Sequence, residues 1–308
     1  MPLGEFHLAL SLVAELLGKD VAEIPSGGPA RWRWEEEAYH MLGVDAVGVL
    51  AGASSAPVTG TQAEEGARSR KLAWAEEVDY WAGREFFLWV IVDGPWQGLA
   101  ATLGWSRALL LCSSSSTHGS TEELERRLLM QLEHVLAAVE RALEAGADGI
   151  VLGEDVAYTD GLLISPAVIG RRLLPLWREV VLCCGRARTA RGERPLVVFH
   201  CDGRFEDLMP MILEAGFDAV HSLQPETGMR PDRLLSRYRG RLGFWGGLSV
   251  ELLLRGHPQE LAAEGRRLAR AARAGGLVVG SSSGVVPEGV RAANLLAVYR
   301  AVATSGSV

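Results

Sequence analysis

The sequence has no apolar run long enough to cross a bilayer, and it contains little cysteine. The longest apolar runs, such as residues 86–92, are far shorter than the roughly 20 residues that a membrane helix needs. The N-terminus lacks the basic segment and apolar core of a secretory signal. The four cysteines occur at no zinc-knuckle spacing, and two of them are adjacent. We therefore expect a cytoplasmic protein with reduced thiols and no membrane partner.

Lysine is also scarce, and the overall charge is negative. Two lysines accompany 29 arginines, and the net charge is −7, which argues against nucleic acid as a partner. Residues 1–150 carry 11 basic and 22 acidic side chains, whereas residues 151–308 carry 20 basic and 16 acidic ones. The C-terminal half is therefore the expected place for an anionic substrate. An apolar content of 48% excludes a disordered chain.

After residue 140, short apolar runs alternate with amphipathic segments. Strands are predicted at residues 148–153, 196–201, 218–223, 242–246 and 277–280, and in the first half at residues 44–50 and 86–92. Helices are predicted at residues 124–145, 166–188, 205–215, 231–239, 258–274 and 287–303, and loops at residues 52–66 and 113–120. Strand–helix alternation with short connections predicts a parallel sheet with right-handed crossovers.

Five consecutive strand–helix units favour a TIM-type (β/α)8 barrel over an open doubly wound α/β sheet, which remains the alternative. The barrel is expected to be distorted or to lack a regular first strand, and a cryptic eighth strand could lie at residues 109–112. No linker demands a second domain. Residues 1–308 are therefore interpreted as one barrel domain that begins with an irregular segment at residues 1–43.

The most informative stretch is Val-Val-Phe-His-Cys-Asp-Gly at residues 197–203, which closes a strand and opens a helix. Side chains alternate along a strand, so His200 and Asp202 point to one face and Cys201 points to the other. An imidazole and a carboxylate thus converge where a parallel α/β fold normally places its chemistry. The structural alternative is a core histidine followed by a helix N-cap.

Polar residues also follow the other predicted strands, at the same rim of the sheet. Each of these strand ends alone could be a turn or a helix cap, but their agreement predicts an active site. The residues are Asp93, Glu154, Asp155, Gln224, Glu226, Ser249, Ser281, Ser282 and Ser283. Glu154, His200 and Asp202 could bind a divalent metal, or could form a metal-free acid/base group in which a carboxylate orients the imidazole.

From about residue 140 to residue 303, ordered motifs resemble the uroporphyrinogen decarboxylase superfamily, which also contains corrinoid-dependent methyltransferases. The matching stretches are Gly153-Glu154-Asp155, residues 161–166, His200-Cys201-Asp202-Gly203, residues 223–226, Gly228-Met229, Phe244-Trp245-Gly246-Gly247, the closing Gly-Ser-Ser block, and Asp-Gly-Pro-Trp at residues 93–96. The resemblance implies a distorted TIM barrel with a deep cleft at its C-terminal rim. It also implies substrate contacts for Trp245 and the strand-end residues.

The sequence departs from both branches of that superfamily. The decarboxylases open with an arginine-rich strand, which is missing before Val44, and they carry a catalytic aspartate where this chain has Ala51-Gly52-Ala53. The zinc methyltransferases use a His-x-Cys pair and a later cysteine, whereas this chain has Asp202 and serines at those positions. Because soft thiolates are missing, any divalent metal is expected to be held weakly.

The resemblance implies a methyltransferase-like enzyme acting on a methyl donor, a corrinoid or a related small substrate, with His200, Asp202 and Glu154 at its centre. The implied partner is a corrinoid protein that delivers this cofactor, and the chain could form a homodimer. The alternative is a decarboxylase of a tetrapyrrole or another carboxylated substrate. A third hypothesis is a non-catalytic subunit that binds a corrinoid or a partner protein. Retention of three convergent ionisable groups argues against this third hypothesis.

Overall fold

A computed structural model describes residues 1–51, 74–113 and 118–306. The strands are β1 (Ala46–Ala51), β2 (Phe87–Asp93), β3 (Gly149–Gly153), β4 (Ala157–Tyr158), β5 (Gly161–Leu162), β6 (Leu196–His200), β7 (Ala219–His221), β8 (Gly243–Leu248) and β9 (Leu277–Ser281). The helices are α1 (Leu10–Leu17), α2 (Gly28–Leu42), α3 (described over residues 74–82), α4 (Pro95–Leu103), α5 (Trp105–Cys112), α6 (His118–Glu144), α7 (Pro166–Val168), α8 (Leu174–Arg186), α9 (Met209–Ala215), α10 (Pro231–Tyr238), α11 (Val250–Arg255), α12 (Pro258–Ala272) and α13 (Ala292–Gly306). A π-helical turn, Ile169–Leu173, joins α7 to α8.

The chain forms two compact units. The first unit consists of Met1–Gly48, Gly83–Phe87 and Ala219–Val308, and the second consists of Val49–Ala82 and Leu88–Asp218. The assignment of the whole chain to one domain stays a prediction.

In the second unit, three parallel strands lie in the order β2, β3, β6. Every residue of β3 is buried, as expected for a strand that is covered on both faces. The long helix α6 packs against α4 and α8, and the antiparallel hairpin β4–β5 follows β3. Trp177, Phe199 and Phe217 contact one another edge to face within the core of this unit.

In the first unit, β7, β8 and β9 are parallel and adjacent in that order. Residues Pro2–Ala9, called the N-terminal segment from here on, run beside them. Leu3 forms a parallel bridge with Val279 of β9, and Gly4 forms one with Ala46 of β1. The segment therefore lies between β9 and β1 as an irregular strand, which explains why the sequence offers no regular first strand.

The structure confirms all seven predicted strands, with bounds that differ by at most a few residues. The suggestion of an eighth strand at residues 109–112 is wrong, because these residues form the second half of α5. Within residues 1–43, which were expected to be irregular, the structure contains α1 and α2. The loop predicted at residues 52–66 lies outside the described residues, as do Gly52 and Ala53. Within the loop predicted at residues 113–120, α6 already begins at His118, and residues 114–117 lie outside the described residues.

Among the described residues, no helix combines the length and apolar character that a membrane span requires.

Candidate functional site

Three parallel strands bring Asp93, Gly153 and His200 into one row at their carboxyl ends. Gly153 has no side chain, and a Cβ at that position would lie 3.7 Å from Asp93 Oδ1. Burial raises the pKa of Asp93, the Asp155 carboxylate raises it further, and His200 lowers it. The row therefore places a carboxyl group and an imidazole near each other at one edge of the sheet.

Asp155, His200 and Asp202 form a compact group at this edge. One ligand atom from each residue lies within 4.8 Å of the other two, and all three residues are partly exposed. His200 Nε2 lies 3.9 Å from Asp155 Oδ1, which is too long for a direct hydrogen bond. The backbone N–H of Asp202 donates to Asp155 Oδ1 at 2.9 Å and fixes this carboxylate. The group can therefore accept a cation or a polar substrate atom between its members.

Glu154 does not belong to this group, which corrects the grouping predicted from the sequence. Its side chain is fully buried, and its carboxylate accepts hydrogen bonds from the backbone N–H groups of Trp96 (3.3 Å) and Gln97 (3.0 Å) and from Trp177 Nε1 (2.8 Å). Burial raises the pKa of Glu154 to about 8, although the three donors lower it. Glu154 therefore caps the N-terminus of α4, and Asp155 takes its predicted place beside His200.

Gly94 allows Glu154 to reach the first turn of α4. A Cβ on Gly94 would lie 2.5 Å from Cδ and 2.6 Å from Cγ of Glu154, so no other residue fits without a shift. Pro95 follows as the first residue of α4, a position where its missing N–H costs nothing. The Asp-Gly-Pro-Trp motif at residues 93–96 therefore builds the pocket for Glu154 as well as supplying Asp93 to the row.

The turn that follows β6 is held by the β4–β5 hairpin. The N–H of Arg204 donates to the carbonyl of Tyr158 at 2.9 Å, and a Cβ on Gly203 would lie 2.5 Å from that same oxygen. Gly203 also has a φ of 81°, which favours glycine. The glycine of the His-Cys-Asp-Gly motif is thus required by backbone geometry, which places Asp202 at the turn. Sequence analysis missed the hairpin, whose two-residue strands carry no periodic signal.

Cys201 points away from the group, as strand alternation predicts. It is fully buried, whereas His200 and Asp202 are partly exposed. Burial raises the pKa of the Cys201 thiol well above its ordinary value, so the sulfur stays protonated. The thiol is therefore unsuited to act as a metal ligand or a nucleophile at this site.

The donor set suits a divalent cation of the hard or borderline class. Asp155 and Asp202 offer carboxylate oxygens and His200 offers an imidazole nitrogen, which are ligands that Mg²⁺, Mn²⁺ and Zn²⁺ accept. Three protein ligands leave coordination positions for water or substrate. The same residues without a cation can act as an acid/base group that contains an imidazole and two carboxyl groups.

Trp245 of the first unit was expected to contact substrate, which stays a prediction, and the structure places its ring in the core. The ring is almost fully buried, and it packs against Phe6 and His221 at centroid distances of 4.2 and 5.2 Å. Its Nε1 donates to the carbonyl of Gly4 at 3.1 Å. Trp245 therefore connects the N-terminal segment to β8 through packing and a hydrogen bond, and it belongs to the core.

Ser249 and Glu226, which were predicted as substrate contacts, bind each other. The Ser249 hydroxyl donates to the Glu226 carboxylate, and its oxygen accepts from the N–H of Leu252 at 3.0 Å. Ser249 is thus the N-cap of α11, the structural alternative for a strand-end serine. Gln224 is partly exposed before a short 3-10 turn, and its role in binding stays a prediction.

Residues Ser281–Ser283, called the serine loop from here on, follow β9. Ser281 and Ser282 are almost fully buried, whereas Ser283 is partly exposed, and the assignment of these serines as substrate contacts stays a prediction. The Ser281 hydroxyl donates to Glu5, a buried glutamate that sequence analysis missed. The available signal was a single charged residue within the apolar Leu-Gly-Glu-Phe-His-Leu-Ala stretch at residues 3–9.

The uroporphyrinogen decarboxylase (URO-D) family profile matches residues 82–305, which is more than half of the chain and includes Asp93, Asp155, His200 and Asp202. A comparison with curated proteins gives no match.

Solved structures show where the fold recurs. A methyltransferase from Methanosarcina mazei superimposes with a TM-score of 0.73 at 19% identity, covering 99% of this chain and 94% of that one. A protein from Listeria monocytogenes described as a vitamin-B12 independent methionine synthase has a TM-score of 0.50 at 12% identity, covering 98% of this chain and 96% of that one. Identities this low concern the fold alone, and they confirm the predicted α/β fold of the TIM-barrel type. The profile match goes further: the chain belongs to the URO-D family.

Proposed function

We propose that the chain is a methyltransferase-like enzyme that binds a methyl donor or a corrinoid at the group formed by Asp155, His200 and Asp202. The observation that carries this proposal is the convergence of these three side chains within 4.8 Å, beside the carboxyl ends of parallel strands. Membership of the URO-D family and the fold similarity to the Methanosarcina methyltransferase support it.

The three residues would share the work of binding and proton handling. Asp155 is held by the Asp202 N–H and keeps a fixed position, so it can orient a ligand or stabilise charge on His200. His200 can give or take a proton at Nε2, the atom nearest to Asp155. If a divalent cation is bound, these three residues would hold it and it would supply Lewis-acid polarisation of the substrate. Asp93 lies at the same edge and adds a further carboxyl group.

A second candidate is the decarboxylation of a tetrapyrrole, which the name of the matching family favours. Its substrate carries many carboxylates, and these require cationic groups in the pocket. Asp93, Asp155 and Asp202 instead present three carboxyl groups beside one histidine, which would repel such a substrate. This electrostatic mismatch ranks the decarboxylase second.

The direct test follows methyl transfer between a corrinoid and small acceptors. Purified protein is mixed with methylcobalamin and a small thiol, which would take the methyl group and leave cob(I)alamin. In a second arm cob(I)alamin is mixed with a methoxylated donor, which would methylate the cobalt, and the visible spectrum reports the loss or the gain of the cobalt-bound methyl group. We expect His200→Ala and Asp155→Asn to lower the rate on the order of a hundredfold. Asp207→Asn is the matched control, because Asp207 is exposed on the turn before α9.

A parallel anaerobic incubation with uroporphyrinogen separates the two candidates. Products are resolved by their number of carboxylates. Two results together would establish the second candidate. The wild-type chain would form the tetracarboxylate product and His200→Ala would not, and neither arm of the methyl-transfer assay would show methyl transfer. Methyl transfer that survives all the site variants would show that the reaction occurs elsewhere in the chain.

A further inference from the structure

The N-terminal segment holds the chain on both sides of the serine loop. Before the loop, the N–H of Gly4 donates to the carbonyl of Val279 at 3.0 Å. After the loop, the N–H of Val286 donates to the carbonyl of His7 at 2.8 Å. Backbone bonds thus fix both ends of the loop to the same extended segment, and Glu5 lies between these anchors on the segment.

The Glu5 carboxyl group lies against the first residue of the loop. It accepts hydrogen bonds from the Ser281 N–H at 2.9 Å, from the Ser281 hydroxyl at 2.6 Å and from the Tyr299 hydroxyl. Glu5 and Ser281 are 2% and 1% exposed, so water cannot replace these bonds. A carboxyl group buried to this degree is stable only with such partners.

The Ser281 hydroxyl has two acceptors within reach and one proton to donate. One acceptor is Glu5 Oε2 at 2.6 Å, and the other is the Ser283 carbonyl at 3.0 Å. When Glu5 is ionised, the hydroxyl donates to its carboxylate. When Glu5 carries a proton, that proton can be donated to Ser281 Oγ, and the hydroxyl is then released to donate to Ser283. The internal hydrogen bond of the loop therefore depends on the state of Glu5.

We propose that Glu5 is a positioning residue that sets the conformation of the serine loop through the Ser281 hydroxyl, with the loop more ordered when Glu5 is protonated. This inference is independent of the reaction proposed above, since it concerns the first unit alone.

The groups around Glu5 place its change of protonation state near neutral pH. Burial raises the pKa of Glu5 to about 7, against three hydrogen bonds that lower it. Burial, Glu5 and the neighbouring Tyr39 raise the pKa of Tyr299 well above its ordinary value. Burial and Arg31 lower the pKa of His7 to about 4. Among these groups, Glu5 is thus the one whose charge changes between pH 5 and pH 8.

Hydrogen exchange of the full chain tests this, followed by mass spectrometry of peptides that cover the serine loop. Exchange is measured between pH 5.5 and pH 8.5 and divided by the intrinsic rate, which itself rises with pH. We expect protection of the loop amides to fall about fivefold across this range, the effect of one ordinary hydrogen bond. Glu5→Gln should remove this fall, and Glu37→Gln, on the exposed face of α2, is the matched control and should keep it.

Two further variants keep the test decisive if Glu5→Gln folds poorly. Ser281→Ala should abolish the fall, because the hydroxyl that connects Glu5 to Ser283 is gone. Tyr299→Phe keeps the ring and removes one donor to the ionised carboxylate, so it should move the fall to higher pH. Loop protection that follows the intrinsic rate alone in the wild-type chain, or a fall that Ser281→Ala retains, would overturn the proposal.

Discussion

Replacing Gly94 with alanine should destabilise the second unit, because the new methyl group would collide with a carboxyl group that cannot move away. The Cβ would lie 2.5 Å from Glu154 Cδ and 2.7 Å from its Oε1. Glu154 is not a loose side-chain end, since Trp177 and two backbone N–H groups of α4 hold its oxygens. The φ of Gly94 is −76°, which any residue adopts, so the cost is steric and not conformational.

The size of the effect follows from two contributions. Inserting a methyl group into a filled core costs about 1–3 kcal/mol. If the carboxylate shifts, one or more of its three hydrogen bonds lengthens, and leaving a buried polar group unpaired costs about 1–3 kcal/mol. Because a shift that relieves the collision also weakens the hydrogen bonds, the two contributions overlap. We expect a total loss of about 2–4 kcal/mol in the free energy of unfolding.

Urea unfolding followed by circular dichroism measures this loss. Gly185→Ala is the matched control, because Gly185 lies in α8 and a Cβ added there would meet nothing within 4 Å, so this variant should gain about 0.5–1 kcal/mol. A double-mutant cycle with Glu154→Ala isolates the collision. In that background Gly94→Ala should cost at least about 1 kcal/mol less than in the wild type, the coupling expected for two groups in contact.

Two results would refute the reasoning. Gly94→Ala could leave the unfolding midpoint unchanged while Gly185→Ala behaves as expected, in which case Glu154 does not occupy the space beside Gly94. The cost of Gly94→Ala could also be the same with and without Glu154, in which case its origin is not the carboxyl group.

The remaining predictions concern His200, Trp177, Glu5 and any bound metal. His200→Ala should lower activity on the order of a hundredfold while changing the free energy of unfolding by about 1 kcal/mol or less; a large drop in melting temperature with activity retained would show a structural histidine. Trp177→Phe removes the indole donor to buried Glu154 and should cost about 1–3 kcal/mol in urea unfolding, whereas unchanged stability would mean that the two backbone donors suffice. The folded-state pKa of Glu5, about 7, lies above its ordinary value of 4.5, so its contribution to stability is fully present below pH 4.5 and is lost as the pH rises through 7. The wild type should therefore lose stability relative to Glu5→Gln as the pH rises over that window. A stability difference that stays constant with pH would contradict this prediction. Divalent metal at Asp155, His200 and Asp202 should be removed by dialysis against a chelator, and stoichiometric zinc that survives in elemental analysis would contradict the weak-binding expectation.

The strands could be predicted because each is a short apolar run with a clear boundary. Residues 149–153 are buried along their whole length, as are the central residues 197–199 of β6, and burial on both faces leaves a continuous apolar signal in the sequence. The N-terminal segment lacks this signal. It pairs through isolated bridges at Leu3 and Gly4, and Glu5 and His7 interrupt the apolar run, so nothing local marks it as part of a sheet.

The site could be predicted only in part, because alternation along a strand says nothing about residues at which a helix begins. His200 lies within β6, and its exposure relative to Cys201 follows from the period of two. Ser249, by contrast, lies after β8, where a helix begins. A serine at such a position can cap a helix or contact a ligand, and the sequence does not distinguish these roles. The hydrogen bond from the Leu252 N–H at 3.0 Å identifies Ser249 as the cap.

The adjacent carboxylates Glu154 and Asp155 show why residue type alone could not assign the centre of the site. Both follow β3, both are acidic, and the sequence offers no reason to prefer either one. The difference arises from partners that are distant in the sequence: Trp177 and the first turn of α4 bind the Glu154 side chain, while the Asp202 N–H binds that of Asp155.

The backbone between these two carboxylates is itself held from both sides. The N–H of Glu154 donates to the carbonyl of His200 at 2.8 Å, and the Trp96 indole donates to the carbonyl of Asp155 at 3.0 Å. A shift of the buried carboxylate must therefore strain the segment that carries Asp155. Replacing Glu154 would displace Asp155 and would therefore lower stability and activity together. Replacing Asp155, which is partly exposed, would lower activity with little change in stability.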